Sequence, residues 1–300
     1  MGVFTRPYDT LLDDFQETAR PQREWVEGRG LLLIAGHFLS GVGAGGWVFA
    51  SAFGYLPGEV ASLGILVLSG LAHLLFLGRP GRFWRMVQVR TSWVGRGFLG
   101  LNLLLVSAVA YLAVTLASGR ADTAAARLLW GLSLLGAAVV MLYKGNVYAV
   151  CRAIPFWNSS LLPVLYVAYA LRGGVALLLL FLPWRSGGVD QGLLELLELW
   201  IGLSAGVCIL FYLTIMAGAS VGARRSVEDL LRGRVAAAFY GGVVVFGLLI
   251  PLLVGLWNVV TPVSMGLLAV VGAASLVGDF YVKYAIAKAG RYLPHVVAGR

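Results

Sequence analysis

The chain has 300 residues, 59% of them hydrophobic and 12% charged, with a mean hydropathy of +0.85, a profile that excludes a soluble globular domain. Its net charge of +9 comes without a basic helix or stacking platform outside the apolar runs, which points to anionic lipid and excludes a nucleic-acid partner. Two cysteines are too few for a disulfide framework or for an iron–sulfur cluster, which needs about four thiolates.

Residues 1–29 are polar and mixed in charge, with Asp13, Asp14, Glu17, Arg20 and Arg23, and read as a cytoplasmic N-terminal segment, not a cleavable signal. Apolar stretches follow at 30–56, 59–78, 93–117, 125–151, 161–182, 192–219, 233–257 and 264–290. Their lengths fit spanning helices, and the alternating strands of a membrane barrel are missing. The expected fold is an all-α integral membrane domain over 30–290, with a tail at 291–300. In the first stretch Gly41, Gly43, Gly45 and Gly46 lie inside a helix, where they predict a small-residue packing face and not a nucleotide loop.

Eight spans put both termini and the 2–3, 4–5 and 6–7 loops on one side. That side carries 18 of the 23 Lys and Arg: Arg6, Arg20, Arg23, Arg29, Arg79, Arg82, Arg85, Arg90, Arg96, Arg152, Arg224, Arg225, Arg232, Arg234, Lys283, Lys288, Arg291 and Arg300. The other side has Arg120, Arg127 and Arg185, so the positive-inside rule places both termini in the cytoplasm, across a cell inner membrane.

Three polar side chains fall at a common depth, roughly 7–12 Å, on the arginine-rich side: His37 in the first span, His73 in the second and Tyr143 in the fourth. Histidine titrates near neutrality and tyrosine is a donor that buries well, which suits a quinone head group with two carbonyls and a proton to exchange. Gly36 and Gly145 beside them are expected to leave room for a flat ring. Two other readings stay open on these residues: one haem between His37 and His73, the third histidine, His295, lying outside the membrane, or the substrate pocket of a solitary transporter. Deeper charges suggest a route for protons: Arg172 in mid-span, Glu195 and Glu198 one turn apart, and Asp279 with Lys283. The bland alternatives are a solvated helix end for the glutamates and a structural link between helices for Arg172.

The runs GHFLSGVGAGG, AHLLFLGRPGRFWRMVQVRTSWVGRGFLG and LYKGNVYAVCRAIPFWNSSLLPVLY resemble the membrane subunit of polysulfide reductase and its NrfD-like relatives, which include dimethyl sulfoxide reductase anchors. The resemblance covers most of the first five spans. It implies eight helices in two four-helix bundles, and a quinone-binding anchor subunit of a multi-subunit oxidoreductase of anaerobic respiration. It also implies menaquinone or ubiquinone as cofactor, no haem, iron–sulfur cluster or other metal in this chain, and partners comprising an iron–sulfur subunit and a molybdopterin or other catalytic subunit. Carried over by position, His37 and Tyr143 match the family's quinone residues, with Lys144 beside Tyr143 and His73 and Arg79 close by. Arg82, Trp84 and Arg85 fall where the partner docks, and Trp157 and Asn158 of the IPFWN run are assigned with them. Two departures stand out. Ile34 replaces an asparagine of polysulfide reductase, and His73 resembles the dimethyl sulfoxide branch. Polysulfide reductase docks its partner outside the cell, whereas the arginine bias here implies either partners in the cytoplasm, favoured by the spread of the arginines over three loops, or a docking surface whose charge overrides the topology rule.

Overall fold

The computed structural model describes residues 20–184 and 189–292. Among them eight helices are long and apolar enough to cross a membrane. They are α1 (Gly30–Phe53), α2 (Leu56–Phe76), α3 (Trp93–Ser118), α4 (Ala124–Ala149), α5 (Leu161–Phe181), α6 (Gln191–Ala219), α8 (Ala238–Val260) and α9 (Met265–Ala289). The ninth, α7 (Val221–Leu231), is short and amphipathic, and it lies where the sequence predicts a loop between two spans. The spans agree with those expected to within a few residues at each end.

Local chemistry fixes the ends. Ser92, Thr123, Asp190, Ser220 and Ser264 each accept a hydrogen bond from a backbone N–H three residues on, so each hydroxyl or carboxylate satisfies a donor the helix cannot. Gly54 and Gly119 end α1 and α3 at φ of 62° and 66°, where a side chain would be strained. Helix α8 is unusual: Ala238–Leu249 is wound as a π-helix and only Ile250–Val260 is α-helical. Such winding ordinarily lasts a single turn.

Helices α1 and α5 form the centre, and each is buried over far more of its length than α2, α3 or α8. Their crossing is made by backbone: a Cβ on Gly45 would strike the Ala170 carbonyl, and one on Gly174 would strike Gly45. The glycine face expected in α1 is therefore a packing face, the usual solution where no hydrophobic drive separates helix from lipid. Reciprocal bonds pin α1 to α4, Trp47 Nε1 to Ser133 Oγ at 2.8 Å and Trp130 Nε1 to Ser51 Oγ at 3.0 Å. One apolar cluster is built by α1 to α4 with Ala170, and the largest by α5 to α9 with the 148–157 corner.

Both ends of the described chain lie together. Pro21 pairs with Arg291, Gln22 N donates to Gly290 O, and Trp25 packs on Tyr148 and Trp157. Asp229 of α7 closes the same corner by accepting from Arg234 and Arg291. Burial would raise this carboxyl, but the two guanidinium donors and their charges outweigh it and hold its pKa below the ordinary carboxylate value.

One of the charges counted toward topology is misplaced. Lys283 is fully buried in α9 and paired with Asp279, so it is not a loop charge and the cationic surface is smaller by one. Arg6, Arg185, His295 and Arg300 lie outside the described residues.

Candidate functional site

His37 and His73 meet where α1 and α2 pack, with ring centroids 5.5 Å apart. His37 is buried and His73 half-buried. Each histidine has its own tyrosine. The Tyr143 hydroxyl lies 3.4 Å from His73 Nε2, and the Tyr148 hydroxyl lies 3.4 Å from His37 Nδ1. His37 and Tyr143, expected as two donors of one site, thus stand in it within two crossed couples, to which Tyr148 is an addition. The signal was present: Tyr148 is four residues beyond Lys144, on the same helix face, whereas Tyr143 is one residue away and points elsewhere.

Supporting bonds set each group's role. His73 Nδ1 sits 2.8 Å from Ser69 O, so that nitrogen carries the hydrogen and Nε2 is the acceptor facing Tyr143. Ser69 and Ser40 both donate to the Gly36 carbonyl, tying α2 to α1 at this level. Buried Lys144 donates to the His37 carbonyl at 2.8 Å. The two imidazoles stand 5.5 Å apart, His73 Nε2 faces the Tyr143 hydroxyl, and its ring fills the space against Gly36 Cα, which leaves no gap for a macrocycle. This geometry does not fit a haem between the two histidines. Among the described residues no group of three or more His, Cys, Asp or Glu could hold a metal ion.

The expected room beside the glycines is absent. Gly36 is covered by the His73 ring and Gly145 by the backbone at Pro163 of α5, so both are packing positions. A flat ring would have to enter elsewhere. Between α2 and α3 packing is slight, Gly70 meeting only the Leu101 side chain at 3.8 Å. At its end the two helices are joined by the 3-10 turn Pro80–Met86, a roof whose Phe83 lies 6.0 Å from Phe98 of α3.

The roof is where the exposed cations collect. Arg79, Arg82, Trp84 and Arg85 are all exposed, and Arg85 lies over the Trp84 ring. Asn158 is exposed as well, but Trp157 is fully buried, its Nε1 donating to Ile286 O at 2.9 Å. Trp157 therefore cannot present a docking surface; its indole staples the 148–157 corner to α9.

The deeper charges are paired. Arg172 donates to Glu198 Oε1 at 3.3 and 3.1 Å, and Ser275 Oγ bridges them, accepting from Arg172 at 2.9 Å and donating to Glu198 at 2.6 Å. Glu198 is therefore not at a solvated helix end, whereas Glu195 one turn earlier is half-buried and accepts from Gln191 and Asn258. Ser275, Asp279 and Lys283 recur every four residues on one face of α9, a line of roughly 12 Å. Lys283 Nζ stands 5.9 Å from the ring of Phe38, next to His37, and 5.9 Å from that of Tyr169, one turn from Arg172. A cavity of about 190 Å³ lined by Glu195, Glu198 and Asn258 continues this line toward the N-terminal end of α6.

A family model described as polysulphide reductase, NrfD, matches residues 29–294 of the chain. No curated protein matches it.

Proposed function

The chain belongs to the polysulphide reductase NrfD family, whose members are membrane subunits of respiratory oxidoreductases, and from this premise we propose that it is the quinone-reactive anchor of such a complex. The observation that carries the reading is the pair of crossed histidine–tyrosine couples beneath an exposed cationic turn. Menaquinone or ubiquinone, when bound, supplies a carrier of two electrons and two protons. The residues supply what such a head group needs. Tyr143 and Tyr148 bring hydroxyls whose single O–H can turn from the imidazole beside it to a quinone carbonyl, the imidazole taking or returning a proton through it. Half-buried His73 is the group first met from the lipid, and His37 is the one sealed behind it.

Arg79, Arg82, Trp84 and Arg85 form the docking face for an iron–sulfur subunit, with exposed Asn158 assigned to the same partner, and a molybdopterin or other catalytic subunit stands beyond. The arginine bias places this face, and both termini, in the cytoplasm of a cell whose inner membrane holds the complex. In the same reading, protons move between the couples and the far side through Lys144, Lys283, Asp279, Ser275, the Arg172–Glu198 pair and Glu195. The alternation of acids, bases and a hydroxyl along one line supports that route.

Quinone-linked turnover of the assembled complex tests the site. His37→Ala, Tyr143→Phe and Tyr148→Phe each remove a donor or strand one, a loss of about 1–3 kcal/mol, or roughly 5- to 150-fold. Electron transfer from the partner to an artificial dye stays intact in all three. Wild-type quinol kinetics in the three variants would move the site away from these couples.

A further inference from the structure

Helices α8 and α9 touch at mid-span and then part. A Cβ on Gly278 would strike Gly247 Cα, so the two backbones meet there. Further along, the Tyr281 ring rests where a Cβ on Gly242 would stand, and beside Gly241 nothing lies within 4 Å. The space that opens is a groove of about 610 Å³, walled by the π-wound half of α8 and by Val277, Phe280, Tyr281 and Tyr284 of α9. Its volume is in the range of small-molecule sites, roughly 300–1,000 Å³. Phe246 and Val277 on its rim are exposed within spanning helices, so the groove opens onto lipid. From Gly278 to Lys288, near the end of α9, the rise is roughly 15 Å, half the hydrocarbon core and so the depth of one leaflet.

The groove ends in donors that lack acceptors. Lys288 Nζ donates to the Tyr284 hydroxyl at 2.6 Å, and both residues are half-buried. That hydroxyl, already accepting, keeps its own hydrogen to give, and the ammonium has two more. Among the described residues no acceptor meets these hydrogens, and Lys288 has no acidic partner. The buried carboxylate of this corner, Asp229, is taken by Arg234 and Arg291. Arg234 also donates to the Lys288 carbonyl, which brings a second cation to the same end of the groove. A ligand that answers these groups must accept twice, carry negative charge and lay an apolar body along the groove. A phosphodiester has two unesterified oxygens, one for the ammonium and one for the hydroxyl, and in a phospholipid it carries acyl chains of one-leaflet length. Basic pockets between spanning helices are known to hold such head groups. We propose that the α8–α9 groove binds an anionic phospholipid, its phosphate held by Lys288 and Tyr284 beside the charge of Arg234. One acyl chain lies past Tyr281 and Gly241 to the Gly247–Gly278 contact. The proposal does not depend on the quinone reading of the histidine–tyrosine couples.

The full chain in nanodiscs is cross-linked with phosphatidylglycerol bearing a diazirine on one acyl chain, and the labelled peptides are read by mass spectrometry. Labelling is expected to concentrate in residues 238–246 and 277–284, at least fivefold above the other lipid-facing segments. Unlabelled phosphatidylglycerol should compete at least fivefold better than phosphatidylcholine, about the worth of one surface cation. Lys288→Gln should erase that preference, and Tyr284→Phe should weaken labelling several-fold. Gly241→Leu, which fills the groove without touching either donor, should lower labelling at least tenfold. Val277→Trp fills it from the α9 side and stands in if Gly241→Leu does not fold. Labelling spread evenly over the lipid-facing helices, equal competition by phosphatidylcholine, equal competition by free glycerol phosphate, or labelling that survives both filling variants overturns the proposal. Loss of labelling in the assembled complex would give the groove to a partner's helix and overturns it as well.

Discussion

Neutralising Glu198 should cost more than neutralising Arg172, although the two form one ion pair. Their side chains are 6% and 1% exposed, so neither charge has water to fall back on. Breaking a buried pair by removing one partner costs about 3–5 kcal/mol, since the survivor is left uncompensated. Glu198→Gln keeps the volume and one carbonyl acceptor for the Arg172 donors, which puts the loss near the lower end, about 3 kcal/mol. The guanidinium cannot shed its proton, so that variant must carry a bare cation in mid-membrane. Arg172→Gln leaves a carboxylate, which escapes by taking up a proton and still receives the Ser275 hydroxyl, and the loss should be about 1–2 kcal/mol. The double variant holds two neutral amides and should recover most of the difference, giving an interaction energy of about 2–3 kcal/mol. Reversible SDS titration of the full chain in mixed micelles, followed by far-UV circular dichroism, measures all four corners of the cycle. Two outcomes refute the reasoning: additivity within about 0.5 kcal/mol, or a larger loss for Arg172→Gln than for Glu198→Gln.

Asp279→Asn removes the one carboxylate between Lys283 and the Arg172–Glu198 pair, and should slow proton transfer by about 100-fold in proteoliposomes while dye-linked electron transfer is kept. An unchanged proton-to-electron ratio would remove Asp279 from the route. At the surface, Asp229→Asn should cost about 1–2 kcal/mol at neutral pH, less than a buried pair because Arg234 and Arg291 are 27% and 22% exposed. The native Asp229 pKa lies below its unfolded value, so its contribution is complete above the ordinary carboxylate range. It is lost as pH falls through the native value. The stability gap between wild type and variant should therefore hold from pH 7 down to about 4 and close below it, and a gap that does not narrow on acidification would exclude this linkage.

Sequence alone settled the number of spans, their class and the meeting of the two ends of the described chain on one side. In lipid a backbone has no partner but itself, so apolar length is sufficient to read a helix. The glycine face of α1 was legible for a related reason, since only small residues let two backbones touch. Sequence also brought His37, His73 and Tyr143 to one depth, because rise per residue is constant. It could not say which tyrosine met which histidine. That depends on the rotation of each helix about its own axis, set here by the α1–α5 backbone contact and the Trp47–Ser133 and Trp130–Ser51 bonds. For the same reason Trp157 of an apparently exposed loop is buried under α9, Glu198 of a helix end is sealed against Arg172, and a loop between spans is the amphipathic helix α7 tied down by Asp229. Depth is a one-dimensional quantity that the chain writes directly, whereas azimuth exists only once neighbouring helices have packed.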